Sequence, residues 1–240
     1  MSGGPATHGS VPAKAAHALE CDGRPYSSGA ASYDDGLTNV GSNYGDAAAE
    51  FIGPNNDGGL LPKSGYRIAA SHGGRVLLSF EVSGRTKAAI LLRDGIMDYE
   101  QHQGWGVETW AACDPAEYPA TVAEHLGFEF WQNGQGNRVP IGEVQSFSAA
   151  FCDYSGTNFL QVGKDPHTTV YVRDPDAQLT RYLRMPYDGS AALPADARDS
   201  GYHRNGRELW FGSHGDAVYL VAAKSDVQRW PAVSSGVGCG

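Results

Sequence analysis

The sequence predicts an α+β protein that is predominantly antiparallel β, carries two short helices and is stapled by disulfides. Three observations predict it. Short apolar runs recur between glycine-rich turns, the 240 residues include 32 glycines with 41% hydrophobic content, and four cysteines are spread along the chain with no CxxC pair. A chain of this length buries a sizeable core as one large domain or two smaller ones.

Residues 1–43 read as a flexible N-terminal arm and loop, because they are small, polar or alanine-rich and show no sustained period. Residues 44–135 read as an α+β meander, and residues 136–240 as an antiparallel β region that is either separate or continuous with it. Within the meander, Asp46–Ile52 has an acidic start, strong helix formers and a Gly53-Pro54 stop, so it is expected to be a helix. Strands are expected at Tyr66–Ser71, Arg75–Val82 and Thr86–Arg93, separated by His72-Gly73-Gly74 and Ser83-Gly84-Arg85. Val76, Leu78, Phe80 and Val82 alternate with Leu77, Ser79 and Glu81, which predicts one buried and one more polar face, with the helix over the buried one.

A fourth strand is expected at Trp105–Cys113 and a second helix at Pro119–Leu126, ending at Gly127. Asn133–Asn137 reads as a turn. Beyond it strands are expected at Glu143–Phe151, Asn158–Val162, Thr168–Arg173, Glu208–Gly212, Ala217–Ala222 and Val227–Trp230. The steps Asp114-Pro115, Asp165-Pro166 and Asp174-Pro175 read as strand terminators, because aspartate accepts turn hydrogen bonds and proline fixes φ.

Charge narrows the partners. A net charge of −9 and a pI near 5.3 argue against nucleic acid, whose binding needs clustered lysine and arginine. The longest apolar runs, Ala88–Leu92 and Ala217–Ala223, are far shorter than the roughly 20 residues of a spanning helix, so no transmembrane segment is expected. The first ten residues lack a basic stretch followed by an apolar one, so the chain reads as a mature form whose leader has been removed.

The cysteines Cys21, Cys113, Cys152 and Cys239 are expected to form structural disulfides in an oxidising compartment. Three connectivities are possible; the expectation is Cys113 with Cys152, at two strand ends, and Cys21 with Cys239, tying the termini. Asp114 and Asp153 directly follow two of the cysteines and disfavour a reactive thiolate. The alternative is a cytosolic chain with four reduced, inert cysteines.

No cofactor or metal site is expected, since the eight histidines are scattered with no HxH, HExxH or His-x₃-His spacing. The P-loop, dinucleotide fingerprint, GxSxG elbow and EF-hand patterns are all absent. One stretch holds enough carboxylates for hydrolytic chemistry: Asp94, Asp98, Glu100 and Glu108 lie close enough along the chain to converge. A charged hairpin loop is the plainer reading of them. Trp105, Trp110, Trp131, Tyr171, Trp210, Phe211, Tyr219 and Trp230 are expected mostly in the core, with any exposed face available to a sugar or an apolar partner.

The segments Cys21–Tyr26 (CDGRPY), Arg75–Lys87 (RVLLSFEVSGRTK), Gly104–Pro115 (GWGVETWAACDP), Leu193–Trp210 and Ala217–Val221 resemble a group of uncharacterised exported proteins of actinobacteria. The resemblance runs from about residue 21 to the end and implies a secreted or cell-envelope location and a β-rich domain, with no activity attached. The expected function is a non-catalytic secreted or cell-surface module that binds a protein, glycan or small ligand. The alternative is an extracellular hydrolase using the carboxylates of residues 94–108.

Overall fold

The computed structural model describes residues 10–29, 40–53, 59–98, 100–148, 156–164, 166–175, 177–223 and 226–234. The chain divides into two compact units, Met1–Phe128 and Glu129–Gly240. Both are built on antiparallel strands, so the expected α+β, mainly antiparallel architecture is present.

The first unit is a five-stranded sheet. Its strands are β1 (Tyr26–Gly29), β2 (Arg67–His72), β3 (Arg75–Val82), β4 (Arg85–Met97) and β5 (Gln103–Ala112), in spatial order β1-β5-β4-β3-β2. Two-residue turns join β2 to β3 and β3 to β4, where Gly73, Gly74, Ser83 and Gly84 all hold positive φ. Such turns match the right-handed twist of the strands they join. The central strand β4 carries the run Ala88–Leu92, every side chain of which is fully buried. A continuous apolar run of this kind belongs to a strand covered on both faces.

One face is covered by helix α1 (Tyr44–Ile52), which buries Ala47, Ala48 and Ile52 and packs on β4 and β5. Asn43 starts this helix by accepting from the backbone N–H of Gly45 and Asp46 at 2.8 and 3.0 Å, while Asp46 accepts from the Asn43 amide at 2.7 Å. At the other end Lys63 donates to the carbonyls of Ile52 and Gly53, both at 3.3 Å. The chain leading into α1 crosses β5 closely: Gly41 and Trp105 exchange backbone hydrogen bonds of 2.8 and 2.9 Å. A Cβ at Gly104 would stand 2.8 Å from the Gly41 carbonyl, so glycine is required there.

The opposite face differs from the sequence expectation, which made it polar and residues 1–43 a flexible arm. Leu77 and Ser79 are buried, and residues 11–22 form a strap with a short 3₁₀ turn, Ala15–Ala18, whose residues 11–19 pack on Leu77. Ala15 is 0% exposed and packs with Val11, Ala16, Ala18 and Leu19 onto Ala69, Ala70, Leu77, Ala89, Leu91 and Ala111. Small side chains on both surfaces allow a backbone with little regular structure to approach the sheet closely. The expectation of a loop at residues 22–43 is also corrected in part, because Tyr26–Gly29 pairs with β5 as an edge strand. A second helix, α2 (Ala120–His125), lies where the sequence predicts one.

The second unit holds a three-stranded meander, β6 (Val144–Ser148), β7 (Asn158–Val162) and β8 (Thr169–Arg173), and a four-stranded one. The latter comprises β9 (Arg198–Arg204), β10 (Arg207–Phe211), β11 (Ala217–Ala223) and β12 (Asp226–Pro231). The two are joined where Tyr171 bridges Ala232 and Val233 donates to the Val170 carbonyl at 2.8 Å. Trp131, Val139, Val144, Leu160, Tyr171, Leu209, Val218, Leu220 and Trp230 form the core between them. Trp131 satisfies its indole N–H on the Ser146 hydroxyl at 3.0 Å.

The disulfide pairing is corrected. Cys21 bonds to Cys113, not to Cys239, and Cys113 does not pair with Cys152. The reason lies in β4, where Glu20 donates its N–H to the Thr86 carbonyl at 2.9 Å and Cys113 donates to the next carbonyl, Lys87, at 2.7 Å. Cys113 and the residue before Cys21 thus hang from adjacent residues of one strand, which sets the two cysteine Cα atoms 5.2 Å apart. Cys152 and Cys239 lie outside the described residues.

Candidate functional site

Among the described residues, a cluster of ionisable side chains surrounds the Cys21–Cys113 bond. Lys87 occupies the strap face of β4, two residues before Ala89, and is only 4% exposed. An ammonium so buried needs partners. Lys87 Nζ donates to Glu117 Oε2 at 2.5 Å and to the Glu20 carbonyl at 2.8 Å, and lies 3.6 Å from Asp22 Oδ2. Glu117 comes from a 3₁₀ turn, Pro115–Glu117, which Asp114 starts by accepting from the Ala116 N–H at 2.9 Å. The Asp114-Pro115 step therefore terminates β5 as the sequence predicts, and at the same time aims Glu117 at Lys87.

The strap closes over this pair. The Asp22 N–H donates to both Glu117 oxygens at 3.2 and 3.1 Å, and Arg85 donates to Asp22 Oδ1 at 2.7 Å. The hydrogen bond from Arg85, with the charge of Lys87 behind it, holds the Asp22 carboxyl below the usual carboxylate range. Tyr26 donates its hydroxyl to Asp114 Oδ2 at 3.2 Å, and burial together with that carboxylate pushes its phenol well up. Tyr118 is raised in the same direction, by burial first and then by Asp114 and Glu117. The Sγ atoms of Cys21 and Cys113 and a carboxylate oxygen of Glu117 all lie within 4.8 Å of one another.

Chemically this is a latch. It joins the strap to β4 and to the turn after β5 by one covalent bond and by the hydrogen bonds that Glu20 and Asp22 make with a buried ion pair, and Lys87 is committed to oxygen acceptors. Sequence reasoning found Cys21 and Cys113 but missed Lys87 and Glu117. A signal existed: Lys87 shares the strand parity of Ala89 and Leu91, so whatever covers those side chains must also supply an anion.

Of the carboxylates of residues 94–108, Asp98 and Glu100 meet at His102, and Glu108 stands apart from them. Asp94 sits exposed in β4 and accepts from the Gly95 N–H at 2.9 Å. Asp98, 3% exposed, shapes the turn between β4 and β5 by accepting from the His102 N–H at 2.9 Å, with His102 Nδ1 3.3 Å from its other oxygen. Glu100 lies 3.6 Å from the same Nδ1. Glu108 accepts from Arg75 Nε at 2.8 Å. Glu108 is five residues along β5 from Gln103, which pairs with Met97 at the turn. At about 3.3 Å per residue it stands roughly 16 Å from Asp98, beyond the separation of a glycosidase pair.

In the second unit Tyr202 donates its hydroxyl to Glu143 Oε1, and Lys164 pairs with Glu143 Oε2 at 3.0 Å. Burial pulls the Glu143 carboxyl upward, but the hydrogen bonds from Tyr202 and Lys164 outweigh it and leave the group below its ordinary range. Burial and the Glu143 carboxylate push the Tyr202 phenol up to about 12. A phenol held protonated in this way acts as a donor that fixes the start of β6 against β9.

Comparison with protein-family models, with curated proteins and with solved structures yields no match. Among the described residues no helix is long and apolar enough to cross a membrane.

Proposed function

We propose that this chain is a non-catalytic, exported, β-rich module of the cell surface or extracellular space that binds a protein, glycan or small ligand. The observation that carries the reading is the latch. Among the described residues, the clustered reactive groups Cys21, Cys113, Lys87 and Glu117 are used to fasten a strap to a sheet. A covalent staple of this kind persists in oxidising compartments and is reduced in the cytosol, which supports export. The acidic net charge of −9 favours neutral or cationic partners over polyanions.

The test has two arms. In the first, the chain is recovered from its native host by fractionation, and its cysteine linkages are mapped by intact mass and peptide mapping with and without reduction. Export predicts the Cys21–Cys113 peptide in the envelope or medium fraction; free thiols in a cytosolic fraction overturn the location. In the second, the purified chain is assayed on chromogenic ester, peptide and glycoside substrates. Turnover that Asp98→Asn or Glu108→Gln abolishes would replace this reading with the hydrolase one.

A further inference from the structure

We propose that Cys21, Cys113 and Glu117 form a redox-gated site for a divalent cation of the zinc class, occupied only when the disulfide is reduced. The inference does not rest on the exported reading, because it concerns the chain before oxidation or under reducing conditions.

The ligand set is already assembled around the disulfide. Two sulfurs and a carboxylate oxygen lie within 4.8 Å of one another, the scale of donors around a single ion. Zinc takes thiolate and carboxylate ligands at about 2.3 and 2.0–2.2 Å, so two thiolates on one tetrahedral ion sit about 3.7 Å apart. The Cα atoms of Cys21 and Cys113 are 5.2 Å apart, and side-chain rotation brings reduced sulfurs to that spacing without moving β5. Cys21 and Glu117 are partly exposed, whereas Cys113 is fully buried. Entry, and a water as fourth ligand, therefore come from the strap side.

Charge decides between a cation and a bare thiol pair. Two thiolates and one carboxylate carry three negative charges, and a divalent ion leaves one. Lys87, whose ammonium is 2.5 Å from Glu117 Oε2, neutralises that remaining charge from behind the carboxylate. An outer-shell donor of this kind also orients the ligand it touches. The Asp22 N–H, at 3.2 Å from Glu117 Oε1, adds a second hydrogen bond to the same carboxylate.

The chemistry balances. A trialkylphosphine attacks one sulfur and breaks the S–S bond; water hydrolyses the thiophosphonium, giving the phosphine oxide and two thiols. Binding of the cation then releases the two thiol protons to solvent. Because the ligands come from the strap, from the residue following β5 and from the 3₁₀ turn, the ion crosslinks the same elements as the disulfide and keeps the strap docked.

The experiment uses the full chain with Cys152→Ser and Cys239→Ser, reduced anaerobically by a trialkylphosphine and titrated with Co²⁺ as the probe. The expected result is one equivalent with thiolate-to-cobalt charge-transfer absorption and tetrahedral ligand-field bands, displaced by one equivalent of Zn²⁺. Glu117→Gln should weaken Zn²⁺ binding at least about tenfold. Hydrogen exchange of residues 10–20 in the reduced chain should slow when Zn²⁺ is added. Where the serine variants do not fold, alkylation of the reduced four-cysteine chain replaces the titration. Zn²⁺ should then protect Cys21 and Cys113 selectively. Equal Co²⁺ binding by the oxidised chain, or binding without charge-transfer absorption, or equal alkylation of all four cysteines with Zn²⁺ present, would overturn the proposal.

Discussion

The two units cover their sheets by different means. In the first, a five-stranded sheet is sandwiched between helix α1 and an extended strap, and the strap is held by a disulfide and by the hydrogen bonds that Glu20 and Asp22 make with the two members of the buried Lys87–Glu117 pair. In the second, two meanders close on each other over large aromatics, Trp131, Tyr171 and Trp230, and the described residues carry no disulfide. Their described ion pairs lie nearer solvent, as with Lys164–Glu143 at 76% and 25% side-chain exposure. The difference follows from what does the covering. A strap of alanines buries little area per residue and needs tethers, whereas facing tryptophans and tyrosines bury enough area to hold two sheets together.

The largest expected effect is on the tether itself. The Cys21–Cys113 bond spans 92 residues of sequence, which in the chain-entropy model is worth about 4–5 kcal/mol. Cys21→Ser is expected to lose most of that in denaturant unfolding, and to raise hydrogen exchange in residues 10–20 well before β10 and β11 respond. Equal loss of protection in the two units would mean that the tether does not act on the strap in particular.

Next in size is the buried pair. Lys87→Met leaves Glu117, 12% exposed at its side chain, without its cation, and removal of one partner from a buried pair costs about 3–5 kcal/mol. The double variant Lys87→Met with Glu117→Leu should recover much of the loss, because two apolar side chains of similar volume need no pairing. A thermal or denaturant double-mutant cycle measures this. Additive losses would mean that the pair is not coupled and that the strap is held by the disulfide, by its backbone hydrogen bonds and by packing.

The parts of this fold legible in the sequence are those written in local periodicity. The alternation along Val76–Val82 and the turns at Gly73-Gly74 and Ser83-Gly84 specify β3 and its neighbours without tertiary information. The run Ala88–Leu92 contained more than was read from it: five consecutive buried positions require cover on both faces, and therefore a second covering element. The strap lacked any period because it is held by the fit of alanine on alanine and by bonds to β4 and β5, which no local pattern records. Strand β9 had a local signal, Asn205-Gly206, where both residues adopt positive φ and close a tight hairpin onto β10. Strand β1 had none, since Tyr26–Gly29 is ordered only by pairing with the edge of β5. At the latch, the cysteines were visible but their pairing was not. It depends on Glu20 and Cys113 reaching adjacent carbonyls of β4, a tertiary fact that spacing along the chain does not encode.

The smallest expected effect lies in the second unit and appears as pH dependence. Glu143 has a folded pKa below its unfolded value, so its contribution to stability is present above the ordinary carboxylate range and is lost as pH falls through the folded value. Tyr202 has the opposite sign: raised to about 12 from an ordinary value near 10, it stabilises the fold below pH ~10, and that contribution disappears as pH rises toward 12. Tyr202→Phe removes the hydrogen bond to Glu143 and is expected to cost about 1 kcal/mol at neutral pH. It should flatten the stability profile between pH ~10 and ~12 and move the acid limb upward, because burial then acts on Glu143 with only Lys164 opposing it. Chemical denaturation across pH, followed by the tryptophan fluorescence of the second unit, reads both limbs at once. A variant with an unchanged alkaline limb would place the Tyr202 proton outside the Glu143 hydrogen bond, and would leave aromatic packing alone to hold β6 near β9.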